Sequence, residues 1–376
     1  MSGSSLVAVD LSAVPANLTG VGRYAVGFLG EAVDAAPDAG IELLAIAKRG
    51  DEERFGRLCP GLRVSGEVPA PRPARIAFER LAMARAVERH GAALYHGIHY
   101  TLPSGLHMPT VATIHDMTFL EHPEWHQRSK VVFFRRMIAA SAARAHGLIF
   151  PSRSALEAFR RHFDTRATTV VIGHGVSPAR FVAPPGAGDD DIIGVLGVRR
   201  PYLLFCGTLE PRKNLERLLD AFLSLDTSEV ELVVAGLVGW RESRLRPKLD
   251  LLEASGRGRL VGFVSDLQLG ALYRRALATV YPSLEEGFGL PGLEAMSQGS
   301  LLITSDQSAM AEYAGEDSLL VDPLDVKSIA NALAVAIEGG DSLAVMAEAG
   351  RSRAAAMTWR ASAQGHLELY RSILGL

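Results

Sequence analysis

Residues 281–296 read Tyr-Pro-Ser-Leu-Glu-Glu-Gly-Phe-Gly-Leu-Pro-Gly-Leu-Glu-Ala-Met, and the order of elements in this stretch decides the fold. The apolar run Ala278–Tyr281 at its start is typical of a buried strand. A glycine loop follows, and Pro291 then suits the first turn of a helix, where no backbone donor is required. A strand that passes through a short loop into a helix is the repeating unit of α/β folds with parallel sheets.

The same alternation of apolar runs and helical patterns continues along both halves of the chain. It predicts two doubly wound, Rossmann-like α/β domains whose strand ends face one another across a cleft. Strands are predicted at Leu6–Val9, Glu42–Ala47, Ala93–His96, Thr110–Ile114, Gly147–Phe150, Thr169–Ile172, Tyr202–Cys206, Glu231–Ala235, Arg259–Val261, Ala278–Tyr281 and Leu301–Thr304. Helices are predicted at Arg72–His90, Arg128–Ala145, Leu215–Leu225, Leu245–Ala254, Leu267–Arg275 and Pro291–Gln298, with Asn214 as the N-cap of the third.

The size of the chain requires more than one domain. A chain of 376 residues with 48% hydrophobic content is too large for one ordinary core. The stretch Val182–Asp191 holds prolines, glycines and a solvated run of aspartates, which continue neither a strand nor a helix. We therefore expect an N-terminal domain over residues 1–180, a linker over 181–200, a C-terminal domain over 201–356 and a terminal helix over 357–376.

The charge balance excludes nucleic acid as the expected partner, because the chain has 39 Lys and Arg against 42 Asp and Glu and so lacks a basic excess. The balance hides an asymmetry: residues 1–180 hold 21 basic and 16 acidic side chains, whereas the rest holds 18 and 26. The N-terminal excess falls on the helices at 72–90 and 128–145. With two cysteines and no apolar segment of membrane-spanning length, the sequence predicts a cytoplasmic protein whose membrane contact is peripheral.

Two loops at predicted strand ends suit a phosphorylated ligand with hydroxyl groups. Backbone amides at residues 287–289, ahead of a helix, would bind an anion, while Glu286 and Glu294 would accept hydrogen bonds from hydroxyls. Arg212 and Lys213 put two cations beside another helix start, where a pyrophosphate would resolve the conflict with the helix dipole. A capped helix with solvated glutamates, and a solvated pair of cations, are the alternatives.

A third candidate, His115-Asp116, ends a buried strand of the N-terminal domain. Seven of the eleven histidines lie between His90 and His126, but Pro123 interrupts the His122–His126 pair, so no metal site is expected. A fourth, Thr19–Tyr24, is a glycine segment between a strand and a helix. It lies too far from the strand for a dinucleotide fingerprint, which disfavours an oxidoreductase.

Glu286-Gly-Phe-Gly-Leu-Pro-Gly-Leu-Glu294 resembles the E-x7-E motif of retaining GT-B glycosyltransferases of family 4, and the resemblance covers nearly the whole chain. Thr19–Tyr24 is similar to the family's glycine loop, and His115-Asp116 to its catalytic His-Asp pair. Pro151–Ser154 is similar to its post-strand segment, and residues 207–214 to its basic phosphate motif. Residues 234–240 resemble a segment frequent in the mannosyltransferase-like branch. His174-Gly175 departs from the family's common Asn-Gly.

The resemblance implies a nucleotide-sugar donor held by the C-terminal domain, an acceptor held by the N-terminal domain, and a C-terminal helix that crosses back to the N-terminal domain. It implies retention of anomeric configuration without a metal. The implied site residues are catalytic His115, Asp116 and Glu286; donor-binding Gly207, Arg212, Lys213, Gly287, Phe288, Gly289, Leu290 and Glu294; and an acceptor or phosphate loop of Gly20, Gly22, Arg23 and Tyr24.

The function so implied is transfer of a hexose from GDP-mannose or a related nucleotide sugar to a saccharide or lipid-linked saccharide in polysaccharide synthesis. The donor is a co-substrate, and no other cofactor is expected. One alternative is a UDP- or dTDP-sugar donor with a soluble acceptor, and another is a non-catalytic nucleotide-sugar scaffold. The basic helices suggest an anionic, lipid-diphosphate-linked acceptor at the inner membrane face. The arginines on these helices are explained equally well as good helix formers on faces that contact only solvent.

Overall fold

The computed structural model describes residues 4–183, 187–198, 201–237 and 242–376, and of residues 242–244 it describes the backbone. The chain divides into two compact units. Unit 1 holds Met1–Gly175 together with Thr358–Leu376, and unit 2 holds Val176–Met357. Each unit carries one parallel sheet with helices around it, which confirms the predicted class of two Rossmann-like α/β domains.

Unit 1 alternates strands and helices and ends with the last helix of the chain. Its elements are β1 (Ser5–Asp10), α1 (Gly20–Ala35), β2 (Ile41–Lys48), α2 (Glu52–Leu58), β3 (Arg63–Val68), α3 (Arg72–Leu81), α4 (Met83–Arg89), β4 (Leu94–Gly97), β5 (Thr110–Thr113), α5 (Thr118–Glu121), α6 (Arg128–Arg144), β6 (Gly147–Phe150), α7 (Arg153–Arg160), β7 (Thr168–Val171) and, after unit 2, α16 (Trp359–Leu374).

Unit 2 repeats the alternation and closes with two helices. Its elements are α8 (Asp189–Gly194), β8 (Tyr202–Cys206), α9 (Leu215–Ser224), β9 (Glu231–Ala235), α10 (Glu242–Ala254), β10 (Gly258–Gly262), α11 (Asp266–Arg275), β11 (Ala278–Tyr281), α12 (Leu290–Ser297), β12 (Leu302–Ser305), α13 (Ala309–Ala314), β13 (Leu319–Val321), α14 (Val326–Glu338) and α15 (Asp341–Ala356).

The two sheets share the order of their first six strands, which fixes where ligands can bind. The order is β3-β2-β1-β4-β5-β6-β7 in unit 1 and β10-β9-β8-β11-β12-β13 in unit 2, with parallel pairing throughout. In each sheet the order reverses beside the first strand, between β1 and β4 and between β8 and β11. Loops at the carboxyl ends of these strands flank the crevice where such sheets bind ligands.

The predicted strands all form, but two strands are missing from the prediction. Both, β3 and β13, lie at sheet edges and are only partly buried, so neither carries the continuous apolar run that marks a central strand. The predicted helix Arg72–His90 is in fact two helices, because Ala82 leaves the helical region of backbone space between α3 and α4.

The predicted linker over residues 181–200 contains a helix, and the division between the units lies before it, at Gly175. Asp189–Asp191 form the first turn of α8, where negative charge stabilises the positive helix end. Asp189 also accepts hydrogen bonds from Arg274 Nε at 3.0 Å and Nη2 at 2.7 Å. The prediction of a solvated aspartate run was therefore wrong for Asp189. Residues 184–186 and 199–200 of this linker lie outside the described residues.

The terminal helix α16 belongs to unit 1, where it packs against α1. Gly27 lies at this contact, and a Cβ atom there would overlap the indole ring of Trp359. Gly30, one turn along the same helix, has open space around it.

We expect Gly27→Ala to destabilise the protein by about 1–3 kcal/mol, because the buried Trp359 ring has to shift to make room for the methyl group. The control Gly30→Ala is expected to stabilise it by about 0.5–1 kcal/mol, the usual gain of alanine over glycine inside a helix. Thermal unfolding of both variants checks this. Equal midpoints would show that α16 does not pack on α1 as described.

Candidate functional site

The loops after β8 and β11 bring together four predicted site residues of unit 2. β8 and β11 are neighbours at the position where the strand order reverses. Gly207, Arg212 and Lys213 follow β8, and Glu286 follows β11. The backbone N–H of Leu284 donates to the carbonyl of Arg212 at 2.8 Å and joins the two loops. Sheet topology, not closeness in sequence, places these residues together.

Glu286 is buried between two cations. Arg212 Nη1 donates to its Oε2 at 2.7 Å, and Lys213 Nζ donates to its Oε1 and to the hydroxyl of Tyr281. Burial alone would raise the pKa of Glu286, but the charges of Arg212 and Lys213 outweigh it and hold the pKa at about 2. Burial, followed by repulsion from Arg212, lowers the pKa of Lys213. Glu210 also accepts from Arg212, at 3.1 Å, so two carboxylates balance the two cations.

The glycine loop leads into α12 as predicted. Gly289 has a φ of +88°, in the left-handed region that favours glycine, and its carbonyl accepts a hydrogen bond from Tyr313 at 2.7 Å. Phe288 is buried with its ring 5.3 Å from that of Tyr313, and Leu290 begins α12. The positive end of the helix thus lies directly after Gly287–Gly289.

Glu294 lies inside α12 and is buried, with Arg180 as its partner. Arg180 Nη1 donates to Glu294 Oε1 at 2.9 Å, and the same guanidinium binds Asp266 through Nε at 2.7 Å. Burial raises the pKa of Glu294 although Arg180 opposes it. Sequence reasoning missed Arg180, because it lies 114 residues from Glu294 and in no local motif. Tyr281, which contacts Lys213, was taken as a strand residue only.

Asn214 secures the loop in a way that differs from the prediction. It precedes α9 but has a φ of +60°, and its side chain does not cap the helix. Its Nδ2 instead donates to the carbonyls of Pro282, at 3.0 Å, and Pro323, at 2.6 Å. The backbone of Gly207 packs closely against that of Gly236, which follows β9. A Cβ atom at Gly236 would overlap the Gly207 carbonyl. Of the segment 234–240, Val238–Trp240 lie outside the described residues.

In unit 1, His115 follows β5 and is buried among aromatic rings. Its Nε2 lies 2.7 Å from the carbonyl of Ile98, which can only accept, so Nε2 carries the proton. Burial lowers the pKa of His115, while the Ile98 carbonyl and the charge of Asp116 oppose the shift. Asp116 Oδ1 accepts from the backbone N–H of Thr118 at 3.1 Å and from its hydroxyl at 2.7 Å. Asp116 therefore holds the start of α5.

The predicted loop of Gly20, Gly22, Arg23 and Tyr24 is the beginning of α1, not a loop ahead of it. Gly22 and Tyr24 are buried, and the Cβ of a residue at 22 would press on Leu18. Tyr24 is fully buried, and burial raises its pKa well above the usual range. Its hydroxyl lies within an internal chain of hydrogen bonds to Thr113 and His366.

The direction of that chain follows from its end. The Ser362 carbonyl accepts from His366 Nδ1 at 2.7 Å, so His366 Nε2 must accept from the Tyr24 hydroxyl at 2.7 Å. The Thr113 hydroxyl then donates to Tyr24 at 2.8 Å and accepts from His96 Nε2 at 2.8 Å. Tyr370 completes the chain by donating to His96 Nδ1 at 2.7 Å. Neutral side chains thus tie α16 to α1, β4 and β5.

We expect unit 1 to lose stability as the pH falls below about 6.5, because its buried histidines resist protonation. Burial is the main cause that lowers the pKa of His366 to about 4 and of His99 to about 3, and those of His96 and His174 also fall. The folded state therefore binds fewer protons than the unfolded state below pH 6.5. Its stability decreases as the pH is lowered. Urea midpoints measured from pH 7.5 to 5 check this. A constant midpoint would contradict it.

Within the described part of the chain, no three His, Cys, Asp or Glu side chains converge in a way that could hold a metal ion. Among the same residues, no single helix is long and apolar enough to cross a membrane. The helices α14 and α15, which meet at a bend of 105°, together have the length and apolar composition of a span.

Comparison with known proteins matches each unit to a glycosyltransferase family. The family described as Glycosyltransferase Family 4 matches residues 19–180, and the family described as Glycosyl transferases group 1 matches residues 191–353. The O-antigen chain mannosyltransferase B of Escherichia coli is 29% identical over 71% of this chain and 71% of its own. The O-antigen chain mannosyltransferase RfbU of Salmonella typhimurium is 26% identical over 62% of each.

Among solved structures, sucrose-phosphate synthase from Thermosynechococcus elongatus superposes with a TM-score of 0.78. The superposition covers 99% of each chain at 20% sequence identity, so the similarity is one of fold. The chain belongs to glycosyltransferase family 4 and has the GT-B fold.

Proposed function

We propose that this glycosyltransferase moves a hexose, mannose or a related sugar, from GDP-mannose to a saccharide or lipid-linked saccharide, with retention and without a metal. The observation that carries the proposal is the cluster of Arg212, Lys213 and Glu286 beside the start of α12, with Glu294 on the same helix. The mannosyltransferase names of two relatives support the choice of sugar and the place in polysaccharide synthesis.

Each part of the donor meets a side chain of suitable chemistry. In the proposal, the Glu294 carboxylate accepts from the ribose hydroxyls, and Arg180 keeps that carboxylate in place. Arg212 and Lys213 bind the diphosphate, while Glu286 and the amides of residues 287–289 bind the hexose. Gly207 allows the diphosphate to approach the backbone, and Leu290 and Phe288 support the loop. Unit 1 supplies the acceptor site and His115, with Asp116 holding the segment that follows.

The reaction follows from where charge develops. The bond between the anomeric carbon and the diphosphate oxygen breaks, and the acceptor oxygen forms a bond to the same carbon from the same face. The acceptor proton passes to the departing diphosphate. Arg212, Lys213 and the positive end of α12 stabilise the negative charge on that group as it leaves. The same cations can neutralise the leaving group in place of a divalent ion.

A thermal-shift panel of nucleotides and nucleotide sugars tests the donor. Binding to the folded state raises the melting temperature in proportion to the logarithm of ligand concentration over its dissociation constant. We expect GDP and GDP-mannose to give the largest shifts. A larger shift with UDP or dTDP compounds would identify a UDP- or dTDP-sugar as the donor. If no nucleotide or nucleotide sugar shifts the melting temperature, the proposal is overturned. Release of GDP from GDP-mannose distinguishes an enzyme from a non-catalytic scaffold.

We also propose that unit 1 meets an anionic acceptor at the inner membrane face. α3, α4 and α6 carry exposed cations, and apolar side chains stand exposed beside them, Leu81 at 81% and Val132 at 51%. Cations attract anionic lipid surfaces, and apolar groups enter them. The exposed cations are Arg72, Arg80, Arg85, Arg89, Arg128, Lys130, Arg135 and Arg136.

Flotation with vesicles tests this surface. Wild-type protein is expected to float with vesicles containing anionic lipid at low salt, and to remain unbound with neutral vesicles. The double variant Arg135→Glu/Arg136→Glu on α6 should lose binding, whereas the control Arg351→Glu on α15 of unit 2 should keep it. Absence of binding at low salt would remove the membrane from the proposal and leave a soluble acceptor.

A further inference from the structure

The loop after β4 holds the backbone of Tyr100 in an unusual conformation. Tyr100 has a φ of +61°, in the left-handed region that bulky residues rarely occupy. Three hydrogen bonds from different elements hold it there. Its N–H donates to the Thr113 carbonyl at 3.0 Å, its carbonyl accepts from the Ser141 hydroxyl at 2.7 Å, and its hydroxyl accepts from the Asp116 N–H at 3.2 Å. Strain that the surroundings hold in this way marks functional segments.

The loop is also too tight for any residue except glycine at its start. A Cβ at Gly97 would overlap the carbonyl oxygen of Thr101, because the chain folds back within four residues. The N–H of Thr101 donates to the carbonyl of His99 at 2.7 Å and closes the turn. Gly97–Thr101 therefore has little freedom to adjust. We call these residues the β4 loop.

The β4 loop aims one carbonyl at His115. Ile98 is buried, and its carbonyl lies 2.7 Å from His115 Nε2. The ring cannot readily turn away, because Tyr24 and Tyr100 meet it edge-on with centroids at 5.2 Å and 5.7 Å. A carbonyl only accepts, so Nε2 keeps its hydrogen and Nδ1 of the neutral ring can only accept.

The surroundings favour the neutral ring. Burial lowers the pKa of His115, and the neighbouring His99 and His174 have lowered pKa values as well. The adjacent carboxylate, Asp116, opposes this shift, but its Oδ1 is occupied by Thr118. A neutral imidazole with an accepting Nδ1 cannot neutralise a phosphate. It can accept a hydrogen bond from a hydroxyl group.

We propose that the β4 loop is a positioning element that fixes His115 as the neutral Nε2–H tautomer, so that Nδ1 accepts a hydrogen bond from a hydroxyl of the sugar substrate. The assignment of the hydroxyl to a sugar rests on the proposed function, whereas the tautomer does not. The strained Tyr100 backbone and the close approach at Gly97 serve to place the Ile98 carbonyl.

The first experiment reads the tautomer without any substrate. Full-length protein labelled with ¹⁵N-histidine gives long-range ¹H–¹⁵N correlations that distinguish the tautomers and the cation, and His115→Asn identifies the His115 signal by its loss. We expect a single, neutral Nε2–H tautomer at pH 7.5, and protonation only below the ordinary histidine pKa of about 6.5. The Nδ1–H tautomer, a mixture of both, or protonation near pH 6.5 would overturn the proposal.

The second experiment perturbs the loop. Gly97→Ala is expected to produce both tautomers and to lower turnover at least tenfold, with the dissociation constant of GDP unchanged within twofold. The control Gly56→Ala in α2, where a Cβ has open space, should match wild type. A folded Gly97→Ala protein with one tautomer and full turnover would overturn the positioning role. If Gly97→Ala does not fold, Tyr100→Phe, which removes the acceptor for the Asp116 N–H, should lower turnover in the same pattern.

The two proposals fail separately. A protein that binds and turns over no nucleotide sugar, yet shows the neutral Nε2–H ring, contradicts the proposed function and leaves the tautomer in place. A protein that transfers mannose with His115 in the other tautomer contradicts the positioning role alone.

Discussion

Replacing Lys213 with alanine is expected to lower turnover about 10²- to 10³-fold, the usual effect of removing one group that stabilises charge in the transition state. Lys213 is buried and binds Glu286, so its ammonium group is held in place before the substrate arrives. The variant should also bind GDP more weakly, because in the proposed site the diphosphate loses one of its two cations. Turnover of GDP-mannose and calorimetric titration of GDP measure the two effects.

A loss of folding could imitate this result, because the buried Glu286 carboxylate would lose one of its two cations and keep Arg212 and the Tyr281 hydroxyl as partners. The double variant Lys213→Met/Glu286→Gln removes both charges and is expected to recover stability but not turnover. Lys248→Ala is the matched control, since Lys248 binds Asp220 of α9 at 2.6 Å in the same unit. Full turnover in a folded Lys213→Ala protein would show that this lysine does not act on the diphosphate.

Replacing His366 with alanine is expected to cost about 3–5 kcal/mol of unfolding free energy, the range for removal of a large buried side chain. The ring stacks on Phe28 with centroids 4.2 Å apart, and it accepts the hydrogen bond of Tyr24. Without it, the Tyr24 hydroxyl is left buried with no acceptor at that end of the chain, which adds to the cost of the cavity. Urea denaturation of the full chain measures the change in unfolding free energy.

His107→Ala is the matched control, because His107 is exposed in the same unit, and its stability should stay within about 0.5 kcal/mol of wild type. Tyr24→Phe should cost less than His366→Ala, since it keeps the ring and removes only the hydroxyl. A His366→Ala protein as stable as His107→Ala would mean that α16 does not depend on this chain of hydrogen bonds.

The central strands and the unit 2 cluster could be predicted from sequence, because both have local signals. Buried parallel strands need continuous apolar runs, and a strand-loop-helix passage marks the ends where Arg212, Lys213 and Glu286 lie. The edge strands β3 and β13 gave no such signal. Asp189 looked like part of a solvated run because its partner, Arg274, is distant in sequence.

The partners that hold the site residues in place could not be predicted. Arg180 reaches Glu294, and Tyr281 reaches Lys213, across long stretches of chain that only the folded sheets bring together. The resemblance of Thr19–Tyr24 to the family's glycine loop gave no sign that helix α1 turns the Tyr24 side chain inward onto His366. The strained backbone of Tyr100 likewise depends on contacts with β5 and α6.

The most direct test of the account is calorimetric titration of GDP-mannose into wild-type protein and into Glu294→Gln. The central claim is that unit 2 holds the donor through Glu294 and the basic loop. We expect one site per chain in wild type, and a roughly 10- to 100-fold weaker affinity in the variant, the loss of one charge-assisted hydrogen bond. The control Glu338→Gln, exposed on α14, should bind as wild type does. Equal affinity in Glu294→Gln and wild type would contradict the claim.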